Sequence, residues 1–363
     1  CAYAGNLRIL ASLLHLMESA TGGNSIPLLE EIQILLNDQV DMFDNVSQKK
    51  EILAEYSKSC RHNLSGKQKE YSLSALAMNL LQKASWITEH IRSQEWINLN
   101  DTEGWYNSYY DNHGRSVEGF YEGQVRMMLT GQVFSIMGNV ATDEQIKKII
   151  QSADHYLYKK EIGGYRLNTD FHELKFDMGR MFGFAYGEKE NGAVFSHMAV
   201  MYANALYQRG FAKEGWKVLK SLSDTALDFD TSHIYPGIPE YFRSDGRGMY
   251  HYLTGAASWY LLTMITEVFG VSGVSGNLLV RPKLLAEQFD ENAMASVSVT
   301  FAGKQFLVNY SNPARKDYGF YHISYADCDH TPLEITEDSN IVISREFIEK
   351  LSSDVHEITV MLA

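Results

Sequence analysis

Three short stretches of this chain concentrate residues able to do chemistry on a polar ligand. In Gly104-Trp105-Tyr106-Asn107-Ser108-Tyr109-Tyr110-Asp111-Asn112-His113-Gly114, four aromatics lead into one carboxylate on a glycine-bounded loop. Aromatic faces stack on the apolar faces of sugar rings, and a carboxyl group beside them is partly desolvated, which raises its pKa towards the range of a general acid. Asp111 is therefore a candidate proton donor to a leaving oxygen, with Trp105 and Tyr110 as candidate sugar-stacking residues. The same Asp-Asn-His-Gly run is also good β-turn chemistry, in which Asp111 has only a structural task.

The second stretch, Phe184 to Met198, sets a glycine pair, three charges, an amide and a histidine between an aromatic loop and an apolar helix. Glu190 and His197 lie seven residues apart with the helix starting between them, so both can reach one polar ligand at that helix start. A protonated His197 beside backbone N–H groups makes an anion site, and Glu190 can hydrogen-bond the hydroxyls of a neutral ligand. An isolated helix histidine is otherwise a buried one satisfied by the backbone. The third stretch runs from Gly246 to Trp259, a polar loop entering another apolar helix. There the Thr254 hydroxyl and the Gly255 N–H can both donate to a phosphate oxygen, glycine allowing close approach. Read structurally, Thr254 is an N-cap and Gly255 a packing residue.

Other chemistries fail on spacing: the chain has no GxxxxGK[ST], no strand followed by GxGxxG, no HExxH and no GxSxG. A glycoside hydrolase needs a second carboxylate, for which Glu240 and Glu118 are the candidates. Net charge of −13, without any basic run, disfavours nucleic acid or an anionic membrane as partner. Three scattered cysteines, Cys1, Cys60 and Cys328, suggest neither a disulfide framework nor a metal site and fit a reducing cytoplasm. No apolar run is long enough to cross a membrane, and the missing signal peptide and initiator Met make the chain read as a piece of something longer.

These residues need elements to position them. Helical periodicity predicts helices over 6–20, 26–38, 47–59, 69–96, 122–138, 143–157, 193–209, 211–227 and 252–269, with two long aromatic-rich loops at 103–120 and 158–192. Paired helices joined by loops of alternating length are compatible with an α/α toroid. After Gly276 the pattern turns to strands, at Ala295–Phe301, Gln305–Tyr310, Tyr318–Tyr325 and Glu357–Leu362, with turn signals at Ala302-Gly303 and Asn312-Pro313. The expected architecture is mainly α over residues 1–275, followed by a small β-rich domain over 276–363.

Taken together, Trp105 to Gly114, Lys189-Glu190-Asn191-Gly192 through His197, and Tyr252 to Trp259 resemble the cellobiose phosphorylase family, glycoside hydrolase family 94, and its larger β-oligoglucan phosphorylase relatives, across roughly residues 104–290. The resemblance implies that Asp111 is the general acid, that His197, Thr254 and Gly255 bind inorganic phosphate, and that Glu190 contacts the acceptor-side sugar; Trp105, Tyr110 and Glu240 are further candidate substrate-binding residues. Phosphate is then the nucleophile, attacking the anomeric carbon with inversion, so one catalytic carboxyl suffices and neither metal nor organic cofactor is needed. The implied products are α-glucose 1-phosphate and a shortened β-linked gluco-oligosaccharide, made in the cytoplasm. The implied fold is part of an (α/α)6 barrel with a C-terminal β-sandwich or jelly-roll-like domain, and a homodimer is one expected state of the full-length form. Asn107-Ser108-Tyr109-Tyr110 replaces the Arg-containing approach to the acid in cellobiose phosphorylases, and 234–241 also departs from their version, both pointing to the oligoglucan branch. The Asp-Trp-Asn-Asp-type donor segment of relatives has no counterpart here. Either the chain is a truncated piece, inactive by itself, or that part is supplied elsewhere. A hydrolase on the same barrel and a non-catalytic carbohydrate-binding relative are the alternatives.

Overall fold

A computed structural model describes residues 1–36, 40–235, 237–251 and 255–363. They form a mixed helical and sheet structure that divides by compactness into two units, residues 1–107 with 134–148, and residues 108–133 with 149–363.

In the first unit, α1 (Ala2–Thr21) packs on α3 (Leu73–Gln94). The apolar residues Ala4, Leu7 and Ala11 recur at helical spacing on the buried side of α1, as Leu73, Leu76, Ala77 and Ala84 do on α3. Caps fix the ends: α1 stops at Gly22 in the left-handed conformation, and α2 (Val46–Ser59) and α3 begin where Asn45 and Ser72 side chains accept from Gln48 N and Ala75 N. The Arg8 guanidinium reaches the Gly138 carbonyl at 3.0 Å and Arg92 Nε the Val140 carbonyl at 2.6 Å. A capping box, Thr142 with Gln145, starts α5 (Asp143–Tyr156), which follows α4 (Leu129–Met137).

Two expectations change here. Instead of a helix over 26–38, Ser25–Leu29 is a strand paired antiparallel with Gln68–Ser72, and a 3-10 turn follows at Glu30–Leu35. Pairing across more than forty residues decided between two readings of one apolar run, which local periodicity cannot do. Likewise the helix expected over 122–138 starts only at Leu129, because Gly119–Tyr121 and Gln124–Arg126 form a hairpin whose turn, Glu122-Gly123, takes positive φ at both residues.

In the second unit, α6 (Ser196–Gln208) is buried on nearly every side and α7 (Ala212–Leu227) covers it through Ala212, Gly215, Val218, Leu219 and Leu222. A four-residue turn of helix, α8 (Phe229–Ser232), precedes α9 (Gly255–Thr263), which packs on α6 and continues as a π-helical turn over Met264–Val268. Asn204 of α6 donates to the Thr263 hydroxyl at 3.1 Å, and the buried Lys283 ammonium bridges Glu267 at 2.6 Å and the Tyr207 carbonyl at 2.7 Å. Strands then dominate from Val271 onward. Val271–Val274, Asn277–Val280 and Ile341–Ile343 make one sheet, and the second has the order Met294–Phe301, Lys304–Ser311, Val355–Leu362, Ile323–Cys328, Thr331–Pro332. The hairpin at Ala302-Gly303 follows the sequence signal, both residues taking positive φ. By contrast, the strand expected over 318–325 lies at Ile323–Cys328, and α10 (Arg345–Glu349) interrupts the run between the last two long strands.

Candidate functional site

Asp111 sits at the tip of a hairpin whose arms pair Tyr109 with Val117 and Tyr110 with Ser116. Its carboxylate closes its own turn: Oδ1 accepts from His113 N at 2.8 Å and Arg115 N at 3.0 Å, and Oδ2 accepts from Arg115 Nε at 2.7 Å. The Arg115 amide, with the guanidinium and the His113 amide behind it, holds the Asp111 carboxyl down to about 2 against the opposing effect of burial. This corrects the expectation that aromatic crowding raises it, because three donors outweigh desolvation. Turn chemistry and chemistry-bearing carboxylate thus coincide in one residue. The aromatics divide: Tyr110 is half exposed, whereas Trp105 is fully buried on the strand Gly104–Tyr106 of the other unit and presents no face to a sugar in this conformation.

The hairpin is hung from a buried carboxylate. Glu118 is 2% exposed, one oxygen accepting from both the amide and the hydroxyl of Ser108 at 2.5 Å, the other from Met128 N at 2.7 Å. Ser108 fits only because position 131 is glycine, where a Cβ would fall 2.2 Å from the Ser108 Cβ. With both oxygens engaged and no solvent access, Glu118 is a structural anchor and not a base for water.

From Met128 a strip of short pairings crosses the unit. Met128 bridges Asn168, whose side chain accepts from Gly192 N at 2.8 Å and donates to Asn191 Oδ1 at 3.1 Å, while Leu167 N donates to the Ala193 carbonyl at 2.9 Å. Val194–Phe195 pairs with Tyr241–Phe242, which pairs with Gly248–Met249. The second and third stretches are therefore joined by backbone pairing, and the Asp111 hairpin is tied to Met128 through the Glu118 carboxylate. The loop before Gly192 is gripped by Arg166, which donates to the Gly192 carbonyl and lies over the Tyr186 ring, and by ion pairs of Arg243 with Glu188 at 2.9 Å and Arg180 with Glu190 at 2.7 Å. The second oxygen of Glu190, Oε2, is buried and has no hydrogen-bond partner among the described residues.

His197 occupies the first turn of α6, a helix start without a side-chain cap. Its ring lies against Gly255, the first residue of α9: a Cβ there would stand 2.8 Å from His197 Cε1 and 2.9 Å from Nδ1. The first turn of α6 therefore meets Gly255 of α9 at this imidazole, with Trp259 and Phe195 rings at 6.1 and 5.9 Å. Burial pushes the His197 pKa below its ordinary value, while the Glu240 carboxylate opposes that. This direction disfavours the protonated form expected from the sequence. Glu240 is held through its backbone, its carbonyl accepting from Ser196 N at 2.9 Å and its amide donating to the Met249 carbonyl at 3.1 Å. Thr254 lies outside the described residues.

Arg115, Asn168, Arg166 and Arg180 were not singled out by sequence. Only Arg115 carried a local signal, an arginine four residues after a carboxylate; the others reach the site through pairings between distant segments.

Residues 56–270 match the Glycosyl hydrolase 94 superfamily, catalytic domain. The chain belongs to this family. Among its family-94 relatives, the cellobionic acid phosphorylase of Neurospora crassa is 28% identical over 61% of this chain and 28% of its own length. The solabiose phosphorylase of Paenibacillus borealis is 24% identical over 69% of this chain and 32% of its own. A 3-O-β-D-glucopyranosyl-β-D-glucuronide phosphorylase from Paenibacillus borealis is 22% identical over 51% of this chain and 25% of its own. The family-94 chain described here spans a third or less of these curated relatives. No described helix is long and apolar enough to cross a membrane.

Proposed function

We propose that this family-94 chain carries the acid-bearing and phosphate-binding part of an inverting phosphorylase that converts a β-linked gluco-oligosaccharide and phosphate to α-glucose 1-phosphate and a shortened sugar. The observation that carries the reading is the seating of His197, in the uncapped first turn of α6, against Gly255, which sets an imidazole, a helix start and a glycine side by side, an arrangement suited to an oxyanion. A neutral imidazole still donates one N–H, and a phosphate dianion beside it raises its proton affinity, which strengthens the pair. Thr254 and the Gly255 amide complete the phosphate contacts.

In this mechanism a phosphate oxygen forms the new bond to the anomeric carbon as the glycosidic bond breaks, and protonated Asp111 delivers its proton to the departing oxygen. The proton lost by hydrogen phosphate restores the carboxyl, so no metal or organic cofactor is required. Tyr110 stacks on the sugar, and Glu240 supports substrate from beside His197. Buried Glu190 Oε2, lacking a partner among the described residues, accepts an acceptor-sugar hydroxyl. The helical part is the later portion of an (α/α)6 barrel. A hydrolase reading loses one of its two candidate bases, since Glu118 has both oxygens occupied.

The test is release of glucose 1-phosphate from β-1,2-, β-1,3- and β-1,4-linked glucose oligomers, with and without phosphate. Asp111→Asn is expected to lose at least about 100-fold in rate. Sugar release that is equally fast without phosphate, or unaffected by Asp111→Asn, rules the reading out.

A further inference from the structure

A general acid must be protonated and must touch the leaving oxygen, yet the Asp111 carboxylate is turned back into its own loop and only 3% of its side chain is exposed. What covers it is the Arg115 guanidinium, Nε at 2.7 Å from Oδ2, on a side chain that is itself 68% exposed. We propose that Arg115 is a positioning residue for Asp111, a latch that keeps the carboxyl turned inward and ionised until an entering sugar displaces the guanidinium into solvent. This rests on the assignment of Asp111 as the acid.

The geometry makes the latch removable. An ion pair with so exposed a partner contributes about 0–1 kcal/mol, so an entering sugar ring can displace it at little cost. The two backbone donors, His113 N and Arg115 N, both bind Oδ1. Oδ2 is held by Arg115 Nε, and removal of that side chain leaves one carboxyl oxygen free to carry a proton outward while the other still anchors the turn. Around the carboxyl the charged or titratable groups are Arg115 and, on the same turn, His113; among the described residues no other ion pair reaches Asp111. A sugar that covers the loop also removes water from Oδ2, which favours the neutral carboxyl once the guanidinium has left. The enzyme so arranged protects its acid from idle protonation and arms it on substrate entry.

The test follows the Asp111 carboxyl by ¹³C NMR against pH, assigned with Asp111→Asn, in the wild-type chain, Arg115→Lys and Arg115→Gln, alone and with a mixture of β-1,2-, β-1,3- and β-1,4-linked glucotrioses. Expected is a midpoint in Arg115→Gln about half a pH unit above wild type, roughly threefold in proton affinity, with Arg115→Lys between the two. The trioses raise the wild-type midpoint towards that of Arg115→Gln and leave Arg115→Gln little changed. Equal midpoints in wild type and Arg115→Gln, or a wild-type midpoint indifferent to the trioses, overturn the latch. Either result leaves the proposed reaction to stand or fall on phosphate-dependent release of glucose 1-phosphate and its loss in Asp111→Asn.

Discussion

Replacing Gly255 with alanine separates the proposed phosphate site from the stability of the fold. The backbone at 255 is not left-handed, and alanine is favoured over glycine in a helix by up to about 1 kcal/mol, so the substitution itself is welcome to α9. Its methyl, however, lands 2.8 Å from His197 Cε1 and 2.9 Å from Nδ1. Carbon atoms settle at about 3.5–4.0 Å, so the imidazole must retreat by roughly 1 Å. A hydrogen bond to an anion is worth about 1.5–3 kcal/mol and does not survive such a shift. Apparent phosphate affinity should therefore fall by about 10- to 150-fold, with thermal stability unchanged or slightly raised. Phosphate titration by ³¹P NMR and the phosphate dependence of glucose 1-phosphate release read the first quantity, and thermal denaturation reads the second. Wild-type phosphate affinity in a folded Gly255→Ala protein would refute the placement of phosphate between His197 and Gly255.

Glu118→Leu removes the acceptor of three hydrogen bonds, stranding the buried Met128 amide and the partly buried donors of Ser108, a loss of about 3 kcal/mol visible in urea unfolding; a near-neutral result would show that the hairpin is held by something else. Lys283→Ala leaves Glu267 buried and unpaired and should cost about 3–5 kcal/mol by the same measurement, whereas a joint replacement with Glu267→Gln should recover part of it. His356 has both ring nitrogens against acceptors, Asp329 Oδ2 at 2.6 Å and the Ser352 carbonyl at 3.2 Å, and Asp329 raises its pKa. The stabilisation from this imidazolium is therefore fully present below the ordinary histidine pKa and is lost as pH rises through the raised one. A wild-type minus His356→Gln stability difference that grows with pH contradicts this.

Much of the fold was legible because local signals agreed with it. The helices of Ala2–Thr21, Val46–Ser59, Asp143–Tyr156 and Ala212–Leu227 carry their own periodicity and need no distant partner to be recognised. What escaped was decided by pairing. Ser25–Leu29 is a strand because Gln68–Ser72 lies beside it, and Val271–Val274 with Asn277–Val280 turns at Ser275-Gly276, a signal passed over between the helix expected to end at 269 and the strands expected after Gly276. At the site, residue types were legible and electrostatics were not. The spacing of Asp111 and Arg115 permits their pairing but does not show that it outweighs desolvation, and nothing in the spacing shows that burial lowers the His197 pKa. Trp105 looked like a stacking platform because aromatic composition says nothing about which rings a core takes for itself.

The turn at Asp111 has a bearing on how the site forms. Its donors lie two to four residues from the carboxylate, whereas His197 meets Gly255 across 58 residues of chain. Closing the longer loop costs roughly 2 kcal/mol more in chain entropy. The Asp111 turn is therefore the cheaper of the two to close, and the proposed phosphate site depends on the longer closure. Loss of the contact between α6 and α9 would disarm the protein before it visibly unfolds.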